Sequence, residues 1–209
     1  MSLAIGIVAH PDRLEMAWGL AKAVDAELLQ FDHDLRGEQA NHQAALDRLL
    51  FTDADWLLLL EDDAIPCIDF RARVSTWLEG VDGIASLYLG TGRWAATVPR
   101  LHEPVVSRLV AEADAAHADR ITSDALWHAV AVAVPLHHAR SLHQGITRTH
   151  APTDQAVSMW CKRHGVSVTY AHPSFVDHRD ERAAVGHQAD VAVGPRRAWR
   201  FADDVASLL

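Results

Sequence analysis

The sequence predicts an α/β fold, a mostly parallel central sheet wound on both faces by helices. Three observations carry this expectation. Strand-like and helix-like segments alternate over the first 60 residues as strand, helix, strand, helix, strand. Residues 56–60 read Trp-Leu-Leu-Leu-Leu, the continuous apolar run of a strand covered on both sides. A length of 209 residues with 49% hydrophobic and 22% charged residues suits one ordinary globular domain.

Residues 3–8 (LAIGIV) form the first strand, closed by His10-Pro11-Asp12-Arg13, and residues 14–24 carry apolar positions at helical spacing. Residues 26–31 are the second strand and residues 39–50 the second helix, followed by the apolar third strand. The second half is expected to supply helices over 70–78, 104–118 and 152–164, the last stopped by Gly165. Strands are expected over 84–89, 125–134, 166–170 and 174–176, with His137 and His138 on a short surface helix. In such a sheet ligands bind off the carboxyl ends of the strands, so chemistry is sought at residues 9–13, 32–34 and 61–67.

The formal charge of −9 argues against a general nucleic-acid coat, which needs a basic face. The lysines are Lys22 and Lys162, and the remaining cations are arginines. Cys67 and Cys161 form no CxxC pattern and suit a reduced compartment. No stretch approaches the roughly 20 apolar residues of a membrane span, and residues 1–10 lack a signal-peptide pattern. A cytoplasmic protein is expected.

Glu61-Asp62-Asp63 follows the third strand directly and is the most informative feature of the chain. Adjacent carboxylates at the end of a buried strand repel by about 1 kcal/mol or more per close pair. A hard cation such as Mg²⁺ or Mn²⁺ relieves that repulsion and bridges to phosphate. A solvated turn capping the next helix is the plainer alternative.

Four blocks extend the reading: Leu57 to Phe70 (LLLLEDDAIPCIDF), Ser86 to Arg93 (SLYLGTGR), Trp127 to Val132 (WHAVAV) and Pro173 to His178 (PSFVDH). Together they resemble the GT-A glycosyltransferases, in particular small phage-type enzymes with an LxLxDDAxPCxDF segment. The resemblance implies a GT-A, Rossmann-like domain over residues 1–193 and an Arg/Trp-containing tail over 194–209. It implies a glycosyltransferase using a nucleotide-sugar donor (UDP or GDP) with Mn²⁺ or Mg²⁺. Asp63 would be a metal ligand, Asp62 would reach the ribose or the metal through water, and Glu61 would take the motif's first position on the donor side, a departure from the usual Asp. His178 stands where a late metal ligand is expected, and is otherwise a structural histidine.

His10 and Arg13 fall where family members contact the nucleoside, and Asp32 would receive the base or ribose. Asn41 and Gln43 would face the same crevice. Tyr88 and Gly90 fall beside the donor sugar, with Tyr88 and Trp94 as stacking platforms. Asp154 matches the place of a general base on the acceptor hydroxyl, although an acid in a first helical turn also favours the helix dipole. The tail around Arg196, Arg197, Trp199 and Arg200 closes over the diphosphate or the acceptor, or is simply solvated. The acceptor implied is a hydroxylated DNA base, a protein or a glycan. Gly90-Thr91-Gly92-Arg93-Trp94-Ala95 fits a dinucleotide fingerprint by pattern, but Pro99 ends the segment before a helix can form. A metal-dependent phosphoester or nucleotide-sugar hydrolase and a non-catalytic nucleotide-binding module are the alternatives.

Overall fold

A computed structural model describes residues 1–91, 103–179 and 196–206. Strand β1 (Leu3–Ala9) is buried along its whole length, and its residues divide between two cores. Ala4 and Val8 face one side, while Leu3, Ile5, Ile7 and Ala9 face the other. Strand β3 (Trp56–Glu61) divides likewise, Leu57 and Leu59 against Trp56, Leu58 and Leu60. The uninterrupted apolar run is therefore two faces of one strand, each covered by helices.

The first core takes α2 (Glu38–Leu49), α4 (Glu103–Ala116), α5 (Leu136–Ile146) and α6 (Thr153–His164). The second takes α1 (Leu14–Val24) and α3 (Phe70–Leu78). Helix α6 ends as its sequence predicts, with Gly165 in the left-handed region at φ 65°.

Among the described residues the central sheet has seven strands. Besides β1 and β3 these are β2 (Leu28–Phe31), β5 (Ile84–Ser86), β6 (Arg120–Ser123), β7 (Ala131–Pro135) and β8 (Val168–Ala171), in the order β2-β1-β3-β7-β5-β8-β6. Five of them run in one direction, and β7 and β6 run against it. The mostly parallel, helix-flanked α/β architecture is as expected.

Several boundaries differ for local reasons. The strand expected over 125–134 begins only at Ala131. The preceding residues take side-chain partners instead of a ladder: Tyr170 Oη accepts from Trp127 N and donates to Ala125 O, and Ser158 Oγ accepts from Leu126 N. The strand expected over 84–89 keeps its ladder only to Ser86, after which Leu89 N donates to Ser174 Oγ. Strand β6 and the full 11 residues of α5 were not expected at that extent.

A second sheet pairs β4 (Ala64–Pro66) with β9 (Val176–His178), antiparallel, in the register Ala64↔His178 and Pro66↔Val176. This ribbon carries residues from late in the chain to the end of β3. The described part of the tail, residues 196–206, is docked rather than solvated. Trp199 N donates to Leu89 O, Ser174 N to Arg200 O, and Phe201 is buried. The final helix, α7 (Ala202–Ala206), brings Asp203, whose carboxylate accepts from Ile68 N and pairs with Arg73. Gly92, Arg93, Trp94 and the boundary at 193/194 lie outside the described residues.

Candidate metal centre

The acids after β3 are fixed by backbone bonds from three directions. Glu61 N donates to Val130 O, Asp62 N to Val8 O, and Asp63 O accepts from Arg179 N. Asp62 and Asp63 are 5% and 6% exposed, so their charges are largely removed from water.

Arg13 answers part of that charge. Its Nη1 lies 2.8 Å from Asp62 Oδ1 and 2.7 Å from Asp63 Oδ2. The single 3₁₀ turn Pro11–Arg13 aims it there, with His10 N donating to Asp62 Oδ2 at 2.8 Å. Arg13 is thus seated on the acids, where the sequence placed it on the nucleoside. His10 serves the same loop, its Nδ1 accepting from Asp12 N.

His178 Nε2 faces Asp63 Oδ1 at 3.4 Å, yet Asp63 Oδ1 and His178 Nδ1, both buried, have no hydrogen-bond partner among the described residues. One ligand atom each from Glu61, Asp63 and His178 lies within 4.8 Å of the others. Burial pushes the His178 pKa down, against the pull of Asp63, which favours the neutral imidazole that binds metals. Burial pushes Glu61 well up, reinforced by Asp63, Glu38 and Asp62 and opposed by Arg196. Burial also raises Asp62, partly offset by His10 N and Arg13. An orphaned carboxylate oxygen beside a neutral imidazole and a second, half-buried carboxylate fits a divalent cation.

The remaining expected residues divide. Asp154 lies in the first turn of α6, 8% exposed, with Oδ1 accepting from Gln155 N. Burial raises its pKa to about 6, with Glu38 adding to the rise and His42 opposing it. Asn41 is buried on α2, its Nδ2 donating to Ala9 O at 3.1 Å, and its Oδ1 has no partner.

Asp32 is spent on the loop into α2, its two carboxylate oxygens accepting from Arg36 N and Gly37 N. Gln43 turns away from the crevice, its Nε2 donating to Ile146 O on α5. Tyr88 is 2% exposed and cannot present a face to a sugar. Its ring stands between His128 and His178, at 5.3 and 5.9 Å between centroids. Gly90 is required because any Cβ there would overlap the Tyr88 hydroxyl and ring.

Sequence reasoning missed Glu38 and His42 at this place, while Arg196 was expected near the diphosphate only as part of the tail. The i, i+4 spacing of Glu38 and His42 on one helix was the available signal, lost because the helix was expected to begin at residue 39. Arg196 reaches the cluster electrostatically, acting on Glu61, His128 and His178. Cys67 and Cys161 are free and buried, and no helix among the described residues is long and apolar enough to cross a membrane.

No family model and no curated protein matches the chain. Among solved structures it is similar to A197 from STIV, with a TM-score of 0.50 and 15% identity over 90% of this chain and 99% of that one. At that identity the likeness bears on the fold, an α/β sheet flanked by helices.

Proposed function

We propose that the protein is a metal-dependent glycosyltransferase that moves a sugar from a nucleoside diphosphate donor to a hydroxyl acceptor. One observation chiefly supports this reading: Glu61, Asp63 and His178 converge at the carboxyl edge of the sheet, with a buried Asp63 oxygen left unpartnered. The resemblance of the segments around these residues to GT-A enzymes points the same way.

Glu61, Asp63 and His178 would hold Mn²⁺ or Mg²⁺, which supplies Lewis-acid stabilisation of a departing diphosphate. Arg13 orients Asp62 and Asp63 and offsets part of their charge. Arg196 brings positive charge to the same cluster, suited to the phosphates of a UDP or GDP donor. The orphaned Asn41 Oδ1, near the carboxyl ends of β1 and β2, is an acceptor for a nucleobase or ribose donor. Asp154, with its pKa near 6, is a base matched to neutral pH and takes the proton of the acceptor hydroxyl. A hydroxylated DNA base, a protein or a glycan is the acceptor class; the docked arginines of the tail favour an anionic one.

Hydrolysis of a phosphoester or nucleotide sugar is the second reading. It is favoured by Asp154 lying beside Glu38 and His42, a setting that activates water as readily as a sugar hydroxyl.

The test is melting with UDP, GDP and their sugars, with and without Mn²⁺, followed by product analysis. Protection that needs both nucleotide and metal, with sugar transferred to an added acceptor, is the expected result. Donor consumption with water as sole acceptor supports the hydrolase. Protection without turnover leaves a binding module, and no nucleotide protection overturns all three.

A further inference from the structure

We propose a second divalent-cation site, formed by Glu38, His42 and Glu61 on the α2 side of the crevice and taking a borderline transition metal such as Zn²⁺.

His42 is 1% exposed, and its ring is anchored from behind. Nδ1 lies 3.0 Å from the carbonyl oxygen of Glu38, one turn earlier on α2. A carbonyl accepts only, so the neutral ring that binds a metal carries its proton on Nδ1 and its lone pair on Nε2. A backbone carbonyl behind one ring nitrogen is the usual way a ligating histidine is oriented. Nε2 is left buried without a hydrogen-bond partner among the described residues. It faces Glu61 Oε1 at 3.8 Å, too far for a hydrogen bond and close enough for one cation to touch both.

One ligand atom from each of Glu38, His42 and Glu61 lies within 4.8 Å of the others. Glu38 Oε1 stands 3.2 Å from the proton-bearing Nδ1 and would turn to join a cation held at Nε2. Glu38 is 40% exposed at its side chain, so the site opens to solvent and leaves room for a water ligand. One imidazole and two carboxylates suit Zn²⁺ better than the all-oxygen preference of Mg²⁺ or Ca²⁺. Glu61 is shared with Asp63 and His178, while Arg13 sits on the far side against Asp62 and Asp63. The inference goes beyond glycosyl transfer: it shares Glu61 with that reading's site but adds Glu38 and His42, to which that reading assigns no task.

The full chain, stripped with chelator, is titrated calorimetrically with Zn²⁺ in the absence of nucleotide. The expected result is a Zn²⁺ equivalent that His42→Ala abolishes and His178→Ala leaves within about threefold. Glu38→Gln should weaken that equivalent more than tenfold, the scale on which loss of even an orienting partner is felt. Glu38 is partly exposed, so Glu38→Gln decides the matter if His42→Ala fails to fold by circular dichroism. No Zn²⁺ binding, or binding unchanged in both variants, overturns the proposal and leaves His42 an ion-paired histidine between two acids. Loss of nucleotide protection alone would bear on the glycosyltransferase reading and not on this site.

Discussion

Two regions of the molecule place a buried histidine beside carboxylates, and they are finished differently. His172 Nε2 lies 2.8 Å from Asp114 Oδ1, and Arg200 takes the other oxygen at 2.7 Å. Around Glu61, by contrast, His42 Nε2, His178 Nδ1 and Asp63 Oδ1 are all buried without a hydrogen-bond partner among the described residues. An unpaired buried polar atom costs about 1–3 kcal/mol, so three at one place are a standing cost that folding alone does not repay. The satisfied region ties the tail to α4. The unsatisfied one is arranged for something that arrives.

The largest expected effects test that contrast directly. Asp63→Asn is expected to lower metal-dependent transfer about 10³-fold, the several kcal/mol that a bound cation supplies to a leaving phosphate. Product formation against Mn²⁺ concentration is the measurement, and an unchanged rate at saturating Mn²⁺ would exclude Asp63 as a ligand. Arg13→Ala removes the partner of two buried carboxylates and is expected to destabilise the fold by about 3–5 kcal/mol. Mn²⁺ should restore part of that stability, and thermal melts with metal or chelator read it. A loss of stability that metal does not touch would show that Arg13 is purely structural.

Asp154 gives an effect of middle size with a definite sign. Its folded pKa, about 6, stands above the ordinary value of 3.8. As pH rises from about 4 through 6, the unfolded chain gives up its proton before the folded one. Stability is therefore lost over that window, by up to about 3 kcal/mol at 1.36 kcal/mol per unit of pKa. Asp154→Asn removes the ionisation, so the variant should melt higher than the parent at pH 8 and nearly level with it at pH 4. The gain is reduced by about 0.3–1 kcal/mol of lost helix-dipole interaction. The same variant should transfer sugar about 10²–10⁴-fold more slowly. A substitution that stabilises and inactivates together marks a functional carboxylate; equal melting shifts at both pH values would remove the burial argument.

What the sequence disclosed is what local pattern can carry. A run of five apolar residues closed by three acids located both the central strand and the candidate ligands Glu61 and Asp63. Its pattern also announced α6 and the stop at Gly165. The direction of β7 has no compositional signature, since a strand buried on both faces reads alike parallel or antiparallel. The approach of His178 to Asp63 depends on β4, three residues ending in a proline, which is too short to show period-two alternation. The resemblance to known enzymes supplied His178 where residue pattern did not. His42 was hidden by one residue of helix boundary. Arg13 was singled out and given a different partner, because charge pairing between residues far apart in the chain leaves no local trace. Asp32 shows the converse: a carboxylate at a strand end, where ligands are sought, whose hydrogen bonds all stay within its own loop.

The smallest expected effect comes from the satisfied region and sharpens the comparison from its other side. His172 is 7% exposed and its Asp114 partner stands partly in water, with Arg200 still bonded to it when the imidazole is gone. Leu at position 172 fills most of the ring's volume but removes the donor, so His172→Leu should cost about 1–2 kcal/mol, the value of one hydrogen bond to a charged group. His172→Gln, which offers an amide donor near the position of Nε2, should recover most of that. Neither change should alter Zn²⁺ or Mn²⁺ stoichiometry, because no ligand atom of the Glu61 region is touched. Melting and metal titration on the same samples separate the two quantities. If His172→Leu reduced metal binding as His42→Ala is expected to, then orphaned atoms would not distinguish a waiting site from a finished one in this fold.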